Sequence, residues 1–174
     1  GKTVVFALRQ TDYAANKGIT SLWIADARAG AGAPPHRLLA DGMNGNSPAF
    51  APDGQGVYFL SNDKAGVSQI WRQPIAGGAA AQVTDYPVDV NNFKLSPDGK
   101  SLAVSLDVFT DCNDLACTKK RLDATAASKV TGRIFDRLFI RHWDTWSDGR
   151  RSQLFTAALD ADGKAATQPV WVTH

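Results

Sequence analysis

Short apolar runs broken by turn-forming residues recur from one end of this 174-residue chain to the other. Val57-Tyr58-Phe59-Leu60 and Leu102-Ala103-Val104 have the length and the β-branched or aromatic content of strands, not helices. Each follows a Pro-Asp-Gly triplet, at Pro52 and at Pro97, and each triplet follows another apolar stretch, Ala49-Phe50 or Phe93-Lys94-Leu95. Proline presets φ, aspartate caps its own backbone and glycine takes the positive-φ position, so each segment predicts a β-hairpin. Ser68-Gln69-Ile70-Trp71-Arg72-Gln73-Pro74 then alternates like a strand. Gly77-Gly78 predicts a turn and Ala81-Gln82-Val83-Thr84 a short fourth strand.

The two triplets begin 45 residues apart. An earlier copy of the third and fourth strands lies in Ser21-Leu22-Trp23-Ile24-Ala25-Asp26 and His36-Arg37-Leu38-Leu39-Ala40. A later copy lies in Ser152-Gln153-Leu154-Phe155 and Pro169-Val170-Trp171-Val172-Thr173. Hairpin, strand, turn, strand at this period is one blade of a β-propeller. The unbroken apolar character of Val57 to Leu60 agrees, because blades stacked face to face cover their inner strands on both sides. A β-sandwich with coincidental turns is the alternative. The expected fold class is all-β, an incomplete β-propeller of about three four-stranded blades. Blade one covers about 3–40 without its first strand, blade two about 47–84 and blade three about 92–173. Closed propellers hold roughly 4–8 blades. The chain is therefore expected to be the leading part of a longer polypeptide whose remaining blades cover its ends. Its uncovered faces and edges favour association and leave a homo-oligomer open.

Blade three is too long. Val67-Ser68-Gln69-Ile70-Trp71 aligns with Arg151-Ser152-Gln153-Leu154-Phe155, 84 residues on instead of 45. An insertion at about 106–150 accounts for the difference, and long excursions from a regular scaffold commonly carry function. It holds both cysteines, Cys112 and Cys117, which read either as a local disulfide or as two free thiols. A disulfide would imply an oxidising compartment. The insertion also holds Arg141-His142-Trp143-Asp144-Thr145-Trp146. On one strand, His142, Asp144 and Trp146 would share a face, and a carboxylate beside tryptophans suits an amine. The competing reading makes both tryptophans packing residues and Asp144 a turn anchor. Arg133, Arg137, Arg141, Arg150 and Arg151 read as a solvated face or as a partner for a carboxylate.

Other chemistry is harder to place. The chain has no Gly-x-Ser-x-Gly elbow, and its histidines are His36, His142 and His174, so no catalytic residue is assigned. Two cysteines without a second ligand pair do not make a zinc site, isolated turn aspartates do not make a calcium site, and no cofactor is expected. Gly30-Ala31-Gly32 reads as a turn, since no helix pattern follows it. Hydrophobic residues make up 44% of the chain and charged residues 21%, a globular balance. Lys and Arg number 19 against 17 acids, too even to point to nucleic acid or to an anionic membrane surface.

The Pro-Asp-Gly repeats resemble those of TolB-type and WD40-like propellers. The fuller succession is more specific: Ser68-Gln69-Ile70-Trp71, Phe93 to Lys100, the cysteine loop from Asp111 to Thr118, then Phe135-Asp136-Arg137-Leu138-Phe139-Ile140 running into Arg141 to Trp146. It resembles the N-terminal propeller of bacterial prolyl oligopeptidase family (S9) serine peptidases, of the dipeptidyl-peptidase or acylaminoacyl-peptidase type. The resemblance implies a C-terminal α/β-hydrolase domain carrying a Ser-Asp-His triad, short peptides as substrates and a propeller that gates their entry. It also implies a periplasmic or secreted location. Arg141, His142, Trp143, Asp144 and Trp146 are then the candidate substrate-binding residues. The other reading is a TolB-like periplasmic propeller that binds protein partners.

Overall fold

The computed structural model describes residues 1–28, 34–63, 66–136, 138 and 140–173. The Gly30-Ala31-Gly32 turn, Arg137, Phe139 and His174 lie outside them. Three strands, β1 (Thr3–Asp12), β2 (Lys17–Asp26) and β3 (His36–Arg37), form the first antiparallel sheet in chain order. The second sheet is β4 (Asn46–Phe50), β5 (Gly56–Ser61), β6 (Gln69–Pro74) and β7 (Ala81–Gln82), again in chain order. The third begins with β8 (Val90–Leu95) and β9 (Ser101–Val108). After the insertion, which contains helix α1 (Leu115–Ala127) and the hairpin β10 (Arg141–His142) and β11 (Thr145–Trp146), it resumes with β12 (Arg151–Ala158) and β13 (Val170–Trp171). Its spatial order is β13-β12-β9-β8, so β12 pairs directly with β9 across the whole excursion. The fold is an open β-propeller sector. The helix is the one departure from the all-β expectation.

Local chemistry makes the hairpins. In the β4–β5 turn Asp53 Oδ1 accepts from the Gln55 amide at 2.8 Å, and Gly54 has φ 68°. In the β8–β9 turn Asp98 Oδ1 accepts from the Lys100 amide at 3.0 Å, and Gly99 has φ 70°. A side chain at either glycine would be strained.

Packing follows from stacking. Every residue of β5 is buried. Phe59 packs with Leu22 and Leu39 of the first sheet. Tyr58 and Leu60 join Ile70 in a larger cluster with Phe93, Leu102, Val104 and Phe155 of the third. One blade thus has two cores, one on each side. Gly45 sits where the first core is tightest: a Cβ there would come within 2.7 Å of Leu39 Cδ1 and 2.9 Å of Phe59 Cδ2. Tyr86 closes the second core, where burial pushes its phenol up to about 12, and the hydroxyl donates to the Ala166 carbonyl at 3.3 Å.

The outer sheets lack a second neighbour. In β9, Leu102, Val104, Leu106 and Val108 are buried while the alternate residues are only half-buried. Leu154 and Val170 share the third sheet's outward face with Ser105, Ala103 and Thr156, and both are exposed. On the first sheet, Val4, Phe6 and Leu8 pair with Ala25, Trp23 and Ser21 on the face turned away from β5. Val4 and Leu8 are exposed there.

Contiguous apolar faces of this kind promote association. Expressed alone, Gly1–His174 should self-associate or melt without a sharp transition, as read by light scattering and calorimetry. A monodisperse monomer with a cooperative transition would contradict this reading of the faces.

Candidate functional site

The insertion leaves the sheet at Phe109 and is first pinned by the cysteine pair. Cys112 and Cys117 are joined by a disulfide, with their Cα atoms 5.6 Å apart. Asp114 between them is the N-cap of α1, its Oδ1 accepting from the Cys117 amide at 2.7 Å. Thr118, fully buried, ties the helix to the sheet end: its Oγ1 accepts from the Phe109 amide at 3.3 Å. Arg121 reaches back one turn and more, holding Asp111 through bonds of 2.8 and 2.6 Å. These bonds keep the Asp111 carboxyl below the usual carboxylate range. Their contribution is therefore present above the ordinary carboxylate pKa and is lost as pH falls through the lowered one. Arg121 also lies over the Phe109 ring at 5.1 Å.

Only Leu115 and Thr118 of α1 are buried, so no broad apolar stripe holds the helix down. Its anchor is the disulfide, the cap and the Arg121–Asp111 pair at its first turns.

The second half of the insertion carries the residues singled out in the sequence. They do not lie on one strand. Arg141 pairs with Trp146 and His142 with Thr145 across the β10–β11 hairpin, and Trp143 and Asp144 form its turn. Trp143 has φ 50°, and its carbonyl accepts from Arg141 Nε at 2.6 Å. This turn breaks the alternation that would have put His142, Asp144 and Trp146 on one face. Arg141 and Trp146 share a face instead, with the guanidinium 5.3 Å from the indole centroid. Phe135 stacks on the same indole at 5.9 Å. His142 meets Trp143 edge-on at 5.7 Å, and Trp143 is 83% exposed. Asp144 is exposed at the tip, accepting only a 3.4 Å bond from the neighbouring Thr145 hydroxyl.

Two clefts flank this hairpin. One of about 390 Å³ is lined by Arg141, His142, Trp146, Arg150 and Arg151 with Asp107. Another of about 700 Å³ lies between α1 and the chain that follows it, lined by Phe109, Leu122, Ile134, Phe135 and Leu138 together with Arg133 and Arg151. Both fall in the size range of small-ligand sites. Among the described residues no three His, Cys, Asp or Glu side chains converge on a metal position.

The arginines differ in what they already hold. Arg150 is paired with Asp148 at 2.7 Å, and Arg121 with Asp111. Arg133 and Arg151 have no such pairing among the described residues. The sequence pointed to this segment of chain but not to the turn inside it. The cleft beside α1 was missed because α1 itself has no amphipathic pattern to announce it.

No protein-family profile matches the chain. Over 147 residues it is 29% identical to dipeptidyl-peptidase 5 of Porphyromonas gingivalis, an alignment that covers 84% of this chain and 20% of that protein. The chain spans only 16% to 20% of the length of the curated relatives it matches. Among solved structures, the acylaminoacyl peptidase of Pyrococcus horikoshii superposes with a TM-score of 0.65 at 11% identity, over all of this chain and 24% of that one. The β-propeller domain of the Trilobed protease of Pyrococcus furiosus gives 0.54 at 13% identity, over all of this chain and 41% of that one. The structures match in fold, and the likeness to an S9-type peptidase propeller stands on them and the curated relatives together.

The disulfide and the cap generate a stability prediction. Replacing Cys112 and Cys117 by serine should cost about 2 kcal/mol by loop-closure entropy, and Asp114→Ala about 1 kcal/mol. Both should show as lost helical ellipticity and lost amide protection in α1. Unchanged protection would mean that α1 is held by something other than its first turn.

Proposed function

We propose that this chain is the leading propeller sector of an S9-type serine peptidase that hydrolyses short peptides. In this reading an α/β-hydrolase domain further along the polypeptide supplies a Ser nucleophile, a His base and an orienting Asp. The propeller restricts which peptides reach them. The observation that carries the reading is the likeness to dipeptidyl-peptidase 5 across 84% of the chain, which runs through the insertion as well as the repeats. A disulfide supports an oxidising compartment, periplasmic or secreted.

The insertion's tip has the chemistry to receive the amino end of a peptide. Asp144 supplies the negative charge, and Trp143 beside it in the turn supplies an exposed aromatic face for an ammonium. Standing exposed on the hairpin, Asp144 gains strength only when a bound substrate excludes water from it. Asp144→Asn in the intact protein keeps the shape and removes the charge. Free-amine substrates should then lose kcat/KM by roughly tenfold or more, about 1.4 kcal/mol, while N-blocked substrates change little. Equal losses for both, with a lowered melting temperature, would reduce Asp144 to a structural turn residue.

The second reading, a TolB-like module that binds protein partners, is favoured by the Pro-Asp-Gly repeats, which resemble TolB-type propellers as closely as peptidase ones. Serine-directed fluorophosphonate separates the two. It should label one serine of the intact polypeptide and none within Gly1–His174. An intact protein that takes no label would favour the binding module, and specific labelling inside Gly1–His174 would overturn the assignment of catalysis to another part of the chain.

A further inference from the structure

The cleft between α1 and the segment leading to β10 combines exposed apolar residues with arginines. Part of its wall is apolar, with Phe109, Leu122, Phe135, Ile134 and Leu138, beside the polar Thr125, Asp136 and Ser147. Ile134 is 99% exposed and Leu138 92%, so the apolar lining is open to water. At its rim stand two guanidiniums, Arg133 and Arg151, that make no side-chain hydrogen bond or ion pair among the described residues, whereas Arg121, Arg141 and Arg150 around them are all engaged. Of the acids lining the same cleft, Asp148 is already held by Arg150, which leaves Asp136 against two free cations. Arg151 also lines the smaller cleft beside His142 and Trp146, so it stands on the wall that the two share. It is the first residue of β12, and its backbone is fixed by pairing with Val108.

The geometry points to a binding site for the free C-terminal carboxylate of an apolar peptide. The apolar side chains of the peptide occupy the cleft beside α1, and its carboxylate meets Arg151 and Arg133. Guanidinium is the side chain best suited to a carboxylate, since it offers a planar fork of donors. A peptide lying over these apolar residues would displace water around that contact and strengthen it. An amide or ester at the same place would find donors but no complementary charge. The site deepens the peptidase reading by specifying which end of a peptide this cleft holds, and it uses neither Asp144 nor the hairpin tip.

The test is calorimetric titration of the intact protein, pretreated with fluorophosphonate so that no hydrolysis competes. The probes are N-acetyl-Ala-Ala-Leu as the free acid and as its C-terminal amide. Acetylation removes the amine, so the outcome is independent of whether Asp144 binds ammonium. The free acid should bind at least tenfold tighter than the amide, with a margin that shrinks as salt is raised. Arg151→Gln and Arg133→Gln should each reduce that margin severalfold while leaving the amide's weaker binding alone. Equal affinity for acid and amide would overturn the proposal, as would a margin that survives both substitutions. Failure of either peptide to bind, the result expected if more of the polypeptide fills the cleft, would overturn it as well.

Discussion

The chain's path from the second blade to the third is fixed by one buried glutamine. Gln69, at the start of β6, accepts on Oε1 from the Thr84 hydroxyl at 2.8 Å and from the Tyr86 amide at 2.9 Å. Its Nε2 donates to the carbonyls of Tyr86 and Val88 at 3.1 and 3.2 Å. Thr84 in turn accepts from the Ile70 amide at 2.9 Å. The connection from the second sheet to the third is thereby laid along the third strand of the second sheet, and Val88 and Val90 enter the core behind it. Leaving any of these buried groups unpaired would cost about 1–3 kcal/mol, so the path of the connection admits little variation. The stacking of one blade on the next, and with it the place where the insertion emerges, depends on that path.

The same device is half-built one blade later. Thr173 donates to Gln153 Oε1 at 2.7 Å and accepts from the Leu154 amide at 3.0 Å, repeating the Thr84 arrangement. Gln153 Nε2 meets no carbonyl among the described residues, where Gln69 Nε2 meets two. Between the first and second sheets another version operates. The Thr20 amide bonds to Asn44 Oδ1 at 3.3 Å, as the Ser68 amide bonds to Asp89 Oδ1 at 2.7 Å. There Ser21 and Leu39 stand where the later blade has Gln69 and Thr84, and Leu39 packs with Leu22 and Phe59. Apolar packing and a polar clamp are two solutions to the same step between blades.

Much of this was legible in the sequence, because turns and strand periods are local. Pro52-Asp53-Gly54 and Pro97-Asp98-Gly99 declare their hairpins through the backbone requirements of three adjacent residues. The continuous burial of β5 was readable from Val57 to Leu60 for the same reason. Helix α1 was not, since its exposed faces carry no apolar period and its start depends on a cap and a disulfide more than on propensity. The hairpin at Trp143 and Asp144 was hidden as well. Alternation from Arg141 to Trp146 suits one strand, and a positive φ at a tryptophan is invisible to any pattern of polarity. The cleft that joins Arg133 to Arg151 depends on α1 and that hairpin together, so sequence spacing alone could list its arginines but not show which of them are paired among the described residues.

In the proposed reading, further blades of the same polypeptide cover the outward faces of this sector. Leu154 tests that most directly, because it lies exposed on the outward face of the third sheet. With both native cysteines in a disulfide, Leu154→Cys introduces the only free thiol in Gly1–His174. A thiol reagent should modify it readily in Gly1–His174 expressed alone and diluted until light scattering shows no association, and at least tenfold more slowly in the intact polypeptide without denaturant. Equal modification rates in the two would mean that no blade covers this face, and the propeller-sector account would fail.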